Sequence, residues 1–213
     1  MPLTTTSYAI LGLLDLRDWT AYELTQQARR SLAFVWPVSE SQLYAEPKRL
    51  QQEGLITIRS RKAGPRRTRQ SLSITAAGRT QLRAWLATEP AAPRLQTEVL
   101  VRTLFATAGS KQDLLDSLSA TQRSVQEAYD YGQSVVEGYR RGENPFPERQ
   151  HVNVLWMVFV HDLLRLMLDW VEFARAEVTT WADVTDGGND ARIKRLLDAL
   201  MRDRPIVASA GRR

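Results

Sequence analysis

The sequence has no cysteine among its 213 residues, which excludes disulfides and thiolate metal sites. Histidine is almost absent too. His151 and His161 stand ten residues apart with no metal-ligand spacing around either, so no metal is expected. No nucleophile is paired with a base, and no glycine-rich loop opens a helix where it could cradle a phosphate; Gly64-Pro65 reads as a turn. The expectation is a protein without catalytic residues or cofactor, not an enzyme. The most apolar stretch, Val152 to Val160, is broken by Asn153 and followed by His161 and Asp162, far short of a membrane span. The opening MPLTTTSYAILGLL lacks a basic leader and a small-residue cleavage pattern. With the missing cysteine, this points to the cytoplasm and to no membrane partner.

What charge there is, is unevenly placed. Residues 1–88 hold 13 Lys/Arg against 6 Asp/Glu, and the remainder holds 16 against 18. The first part is the candidate polyanion binder, and the second must do something else.

The first part reads as three helices followed by a β-hairpin and a fourth helix. Tyr8, Ile10, Leu11, Leu13 and Leu14 mark a helix over Thr6–Leu16. Thr20 and Glu23 have capping-box spacing for a second, to Leu32. Ser39 caps a third that runs to Glu53, where Gly54 supplies a left-handed stop. Leu55–Ile58 and Leu72–Thr75 alternate as half-buried strands do. Between them Arg59–Arg69 reads as a loop with six basic residues and no acid. A helix over Ala76–Leu86 follows. This is the layout of a winged helix-turn-helix, in which one helix enters the major groove and the hairpin lies on phosphates.

In the third helix Ser39, Ser41, Gln42, Tyr44, Lys48 and Arg49 are the side chains able to reach bases or phosphates. Gln42 can bond adenine bidentately. Ser39 serves equally as cap alone, and Tyr44 as part of the core. In the loop Arg61, Lys62, Arg66, Arg67 and Arg69 are the phosphate-binding candidates. Pro47 removes the bond to the Leu43 carbonyl, at about 3 kcal/mol unless a kink relieves it. Either the helix bends there or it begins near Glu46.

Beyond a hinge at 89–96 the chain reads as wholly helical, with helices over Thr97–Ala106, Lys111–Arg141, Glu148–Thr180 and Asp190–Asp203. From Val152 to Phe173 apolar residues step 4, 3, 4, 3, and a second row widens the stripe beyond one face. The other long helix is polar and offers only a thin seam. A second copy of the chain would cover the rest, and two-fold dimers are the commonest solution. Trp156, Phe159, Leu163 and Trp170 are the candidates for that interface, or for a slot lined by indoles that takes a flat aromatic or cationic molecule.

The chain resembles the PadR family of bacterial transcriptional regulators. The resemblance rests on SYAILGLL at Ser7–Leu14, TAYEL at Thr20–Leu24, FVWP at Phe34–Pro37, SESQLYAEPKRLQQEGLI at Ser39–Ile56 and SITAAGRTQLRAWL at Ser73–Leu86, and covers about residues 3–107. It implies a repressor with an N-terminal winged helix and a C-terminal helical dimerisation region. It further implies a palindromic operator and release by a phenolic or drug-like molecule. The chain departs from the pattern in the third helix: Ala45 stands where Pro commonly follows the Tyr, and Pro47 takes an aliphatic place. Leu72 stands where the wing often has a Tyr.

The expected architecture is mainly α: a winged helix-turn-helix with a two-stranded wing over 1–88, a hinge at 89–96, a helical dimerisation and effector region over 97–204, and a flexible tail over 205–213. The expected protein is a homodimeric regulator that binds operator DNA and answers to a small aromatic effector. The rivals are an architectural DNA binder of low sequence preference, and a small-molecule carrier or enzyme that uses the helical region.

Overall fold

The computed structural model describes residues 2–32, 34–62, 68–188 and 190–201. The chain divides into two compact units, Met1–Pro93 and Arg94–Arg213.

The first unit holds α1 (Thr5–Leu16), β1 (Trp19–Thr20), α2 (Ala21–Leu32), α3 (Glu40–Gln52), β2 (Ile56–Lys62), β3 (Thr68–Ile74) and α4 (Ala76–Leu86). Thr4 and Ser7 close a capping box that starts α1. Thr20 and Glu23 do the same for α2: the Thr20 amide donates to Glu23 Oε2 at 2.9 Å, and the Glu23 amide to Thr20 Oγ1 at 3.2 Å. Each box supplies partners to amides that a helix start leaves orphaned. Ile10, Leu11 and Leu14 of α1, with Leu24, Leu50, Ile56 and Leu72, are fully buried apolar side chains of the unit's core.

The sheet is antiparallel in the order β1-β3-β2: the two-stranded wing of β2 and β3 is as expected, and a third strand, β1, joins the base of β3. The added strand is only two residues long. Trp19 is buried at its start, and its indole N–H donates to the Leu13 carbonyl at 2.7 Å. The hairpin strands also run further than expected: β2 and β3 pair from Ile56↔Ile74 out to Lys62↔Thr68. Arg59–Lys62 thus continues β2, and Thr68–Ser71 begins β3.

Gly54, at φ 72°, ends α3 in the left-handed conformation. Gly78 lets α4 approach the sheet, because a Cβ there would lie 2.2 Å from the Leu55 carbonyl oxygen.

The second unit holds α5 (Glu98–Leu104), α6 (Lys111–Arg140), α7 (Gln150–Thr180) and α8 (Asp190–Leu200), with single 3-10 turns at Ala106–Ala108 and Pro147–Arg149. These turns replace the ends expected for α5 and α7. A short helix tail or head commonly tightens in this way to satisfy its terminal groups. The seam between α6 and α7 is built in two clusters. Leu114 and Leu118 meet Val99, Val171 and Val178 in one; Val125 meets Leu164 and Leu168 in the other. Lys111 donates to the Thr179 and Trp181 carbonyls at 2.9 and 2.6 Å, placing a cation where the α7 carbonyls are left open. No described helix is long and apolar enough to cross a membrane.

Candidate nucleic-acid interface

Helix α3 begins at its Ser39 cap. The Gln42 amide donates to Ser39 Oγ at 3.3 Å, and the Ser39 amide donates back to Gln42 Oε1 at 3.2 Å. The helix runs unbroken through Pro47, which is buried, so a start near Glu46 is excluded. At about 100° per residue, Leu43, Pro47 and Leu50 form the buried stripe. Ser41, Tyr44 and Lys48 project on the opposite side and are exposed, with Ala45 among them. Tyr44 is 42% exposed, which places it on the outer face rather than in the core. Among the described residues Lys48 makes no ion pair.

Arg49 does not share that outer face. Its guanidinium turns toward α1 and pairs with Glu46. It also reaches Glu53 Oε1 at 2.9 Å and donates to Ser7 Oγ at 2.7 Å. Ser7, fully buried, donates in turn to Glu46 Oε1 at 2.5 Å. Arg49 holds the Glu46 carboxyl below the usual carboxylate range; burial opposes this and the Ser7 hydroxyl assists it. The same contact with Glu46 raises the Arg49 guanidinium further. Glu40, at the other end of α3, pairs with Arg29 at 2.6 Å. Each glutamate of the helix and its cap thus has an arginine.

Ser7 and Glu46 were not among the expected site residues. Glu46, Arg49 and Glu53 are spaced i, i+3 and i+7, which makes pairing readable. Ser7, the polar member of a buried α1 stripe, was the signal for a partner across helices.

In the wing Arg59 is exposed. Arg61 lies opposite Arg69, and Lys62 opposite Thr68, in the backbone register. Arg66 and Arg67 lie outside the described residues.

The second unit separates the four aromatic and aliphatic candidates of α7. Trp156 and Phe159 are 38% and 57% exposed. Leu163 is half-buried, and Trp170 packs on the unit's own core beside Val171 and Val178. The two indoles therefore do not line one slot within a chain: α6 covers the C-terminal part of that face and leaves the N-terminal part open. A shallow groove of about 400 Å³ lies instead beside α5 and the start of α6, between Val101, Phe105, Asp113 and Leu114, and no tryptophan lines it. Among the described residues no cluster of His, Asp or Glu could hold a metal ion.

Comparison with known proteins agrees with this anatomy. Residues 10–84, which span α1 to α4, match the Transcriptional regulator PadR-like family. Over 110 residues the chain is 31% identical to the Negative transcriptional regulator PadR of Bacillus subtilis (strain 168), and the match covers 51% of this chain and 60% of that protein. Two crystal structures of Bacillus subtilis PadR are similar in fold. One, in complex with operator DNA, gives a TM-score of 0.67 at 23% identity, over 82% of this chain and 99% of that one. The other, in complex with p-coumaric acid, gives 0.59 at 24% identity, over 81% and 94%. The structure of smu.1604c from Streptococcus mutans UA159 gives 0.71 at 18% identity, over 81% and 99%. The family is one of transcriptional regulators, not of enzymes. The first unit is thus similar to the transcriptional regulator PadR-like family over residues 10–84, and the chain spans less than two thirds of the length of the curated relative it matches.

Proposed function

We propose that this protein is a homodimeric, sequence-specific DNA-binding regulator, a cytoplasmic repressor released from its operator by a small aromatic or drug-like effector. The observation that carries the reading is the outer face of α3, where Ser41, Tyr44 and Lys48 stand exposed over a helix whose carboxylates are each held by an arginine. That face offers hydrogen-bonding groups to base edges and the positive charge of Lys48 to phosphates. The wing's composition supports it: the segment from Arg59 to Arg69 carries six basic residues and no acid, which suits a phosphate backbone. Arg66 and Arg67 belong to the same contact.

Gln42 is committed in the free protein to the Ser39 cap through its Oε1. To read adenine with both amide atoms it must leave that cap, which costs on the order of 1 kcal/mol. Ser41, Tyr44 and Lys48 are therefore the first contacts, and Gln42 joins them at that expense.

Dimerisation rests on the N-terminal half of α7, where Leu155, Val158 and Phe159 are 73%, 55% and 57% exposed in the single chain. A second copy related by a two-fold axis buries this face and sets two α3 helices about one helical turn of DNA apart. Residues 1–88 read DNA, 89–96 act as hinge, and 97–204 dimerise and take the effector, with 205–213 as a tail. An effector that binds one arrangement of the two readers better than the other shifts the equilibrium by that difference in affinity and no more. Bacillus subtilis PadR has been crystallised with operator DNA and with p-coumaric acid, which makes phenolic acids the first effectors to try.

Anisotropy titration of the full chain tests the reading, using the duplex upstream of its own gene and a scrambled copy, from 50 to 200 mM salt. A preference for the true sequence of about a thousandfold or more is expected, with log K falling by about 0.9 per phosphate contacted as log salt rises. Equal affinity for the scrambled duplex contradicts it and favours an architectural binder. A phenolic acid that is an effector weakens binding to the true sequence.

A further inference from the structure

Helix α3 is weakest in its own hydrogen bonding at Pro47, where the ring deletes the bond to the Leu43 carbonyl. Around that point the helix is clasped to α1 by polar groups. The buried Ser7 Oγ donates to Glu46 Oε1 at 2.5 Å, and accepts from Arg49 at 2.7 Å and from the Thr4 amide at 2.8 Å. Arg49 then joins Glu46, just before Pro47, to Glu53 in the last turn. The clasp runs along the flank between the buried stripe and the exposed face of Ser41, Tyr44 and Lys48. We infer that Glu46 is a positioning residue for DNA reading: it fixes the tilt of α3 on α1 across Pro47 and touches neither base nor phosphate.

This inference rests on the assignment of α3 as the DNA-reading helix. It also has an electrostatic consequence. Glu46 and Glu53 lie on a helix that approaches a polyanion, and Arg49 pairs with both, which leaves the trio one unit negative. Removing the Glu46 carboxylate leaves Arg49 shared only with Glu53, so the surface gains one unit of positive charge as it loses its geometric anchor. Attraction to any phosphate backbone is then kept or strengthened, whereas hydrogen bonds to base edges, which depend on direction, are weakened. A defect in folding alone lowers both kinds of binding together.

The experiment uses the full-length protein. A duplex is selected from a random-sequence pool by the wild-type chain, and affinities for it and for its scrambled copy are measured for wild type, Glu46→Ala and Glu46→Gln. Thermal unfolding is followed in parallel. Glu46→Ala is expected to lose on the order of tenfold in affinity for the selected duplex, the worth of one good base contact. Its affinity for the scrambled duplex stays equal or rises. Glu46→Gln keeps an oxygen that accepts from Ser7 and Arg49, and recovers to within about threefold of wild type. The inference is overturned by an unchanged ratio of the two affinities in Glu46→Ala, by a parallel loss on both duplexes with a lowered melting temperature, or by a Gln variant as poor as the Ala variant. If the wild type itself selects no sequence, the assignment of α3 fails first and the inference falls with it.

Discussion

Replacing Gly78 by alanine would place a Cβ 2.2 Å from the Leu55 carbonyl oxygen and 2.8 Å from Ile74 Cγ1. The oxygen cannot give way easily. It accepts from the Thr75 amide and from Thr75 Oγ1, both at 3.0 Å, and these bonds join the end of the hairpin to the start of α4. Two terms oppose each other. Alanine in a helix interior is favoured over glycine by about 1 kcal/mol. Overpacking a filled site costs about 1–3 kcal/mol, and a clash with pinned backbone belongs at the upper end. The net effect expected is a loss of about 2 kcal/mol. For a unit of this size that lowers the melting temperature by about 8–16 °C. Thermal unfolding of the full chain, followed by circular dichroism and by tryptophan fluorescence, measures it. An unchanged or raised melting temperature would refute the packing argument, since helix propensity alone predicts stabilisation.

Further outcomes follow from the same geometry. Leu155→Glu with Phe159→Glu places charges on the open half of α7, and sedimentation equilibrium should then find a monomer whose helical content is unchanged; a persisting dimer contradicts the interface. Arg66→Ala with Arg67→Ala should weaken binding to every duplex alike and flatten the salt slope by about 1.8, at roughly 0.9 per phosphate lost; an unchanged slope removes the wing from the contact. The Glu46 carboxyl is lowered in the folded chain, chiefly by Arg49, so its contribution to stability is fully present above the unfolded value of about 4.3. It is lost as the pH falls from there through the lower folded value. Comparing wild type with Glu46→Gln by chemical unfolding from pH 7 to pH 3 should show the difference between them shrinking below about pH 4.3, and a constant difference would contradict the clasp.

Elements with a strong local signal were legible in the sequence. Ser39, Thr20 and Gly54 mark helix ends because caps act over three or four residues, and Leu72–Thr75 alternates because one face is buried. The outer halves of β2 and β3 carried no such signal. From Arg59 to Lys62 and from Thr68 to Gln70 the strands are held by their backbone ladder, without an apolar face, so they read as loop. Strand β1 is two residues long, too short for any periodicity, and its evidence lies in pairing with Leu72 and Ser71 far along the chain.

The site divides in the same way. That α3 carries polar reaching groups was plain, but which flank faces α1 is a tertiary fact, and it turned Arg49 inward while leaving Lys48 outside. Pro47 was ambiguous because its cost can be met by neighbours, and the Ser7–Glu46–Arg49 clasp supplies them. Trp156 and Trp170 looked alike at helical spacing. They differ because the core beside Val171 and Val178 takes up one of them.

The central claim is that two copies of α3 and its wing grip one duplex together. A hydroxyl-radical footprint of the protein on the DNA upstream of its own gene tests it most directly. The account predicts two protected half-sites related by two-fold symmetry, with centres about 10–10.5 base pairs apart or a multiple of that. A single continuous protection without symmetry, or none even in dilute salt, would contradict it.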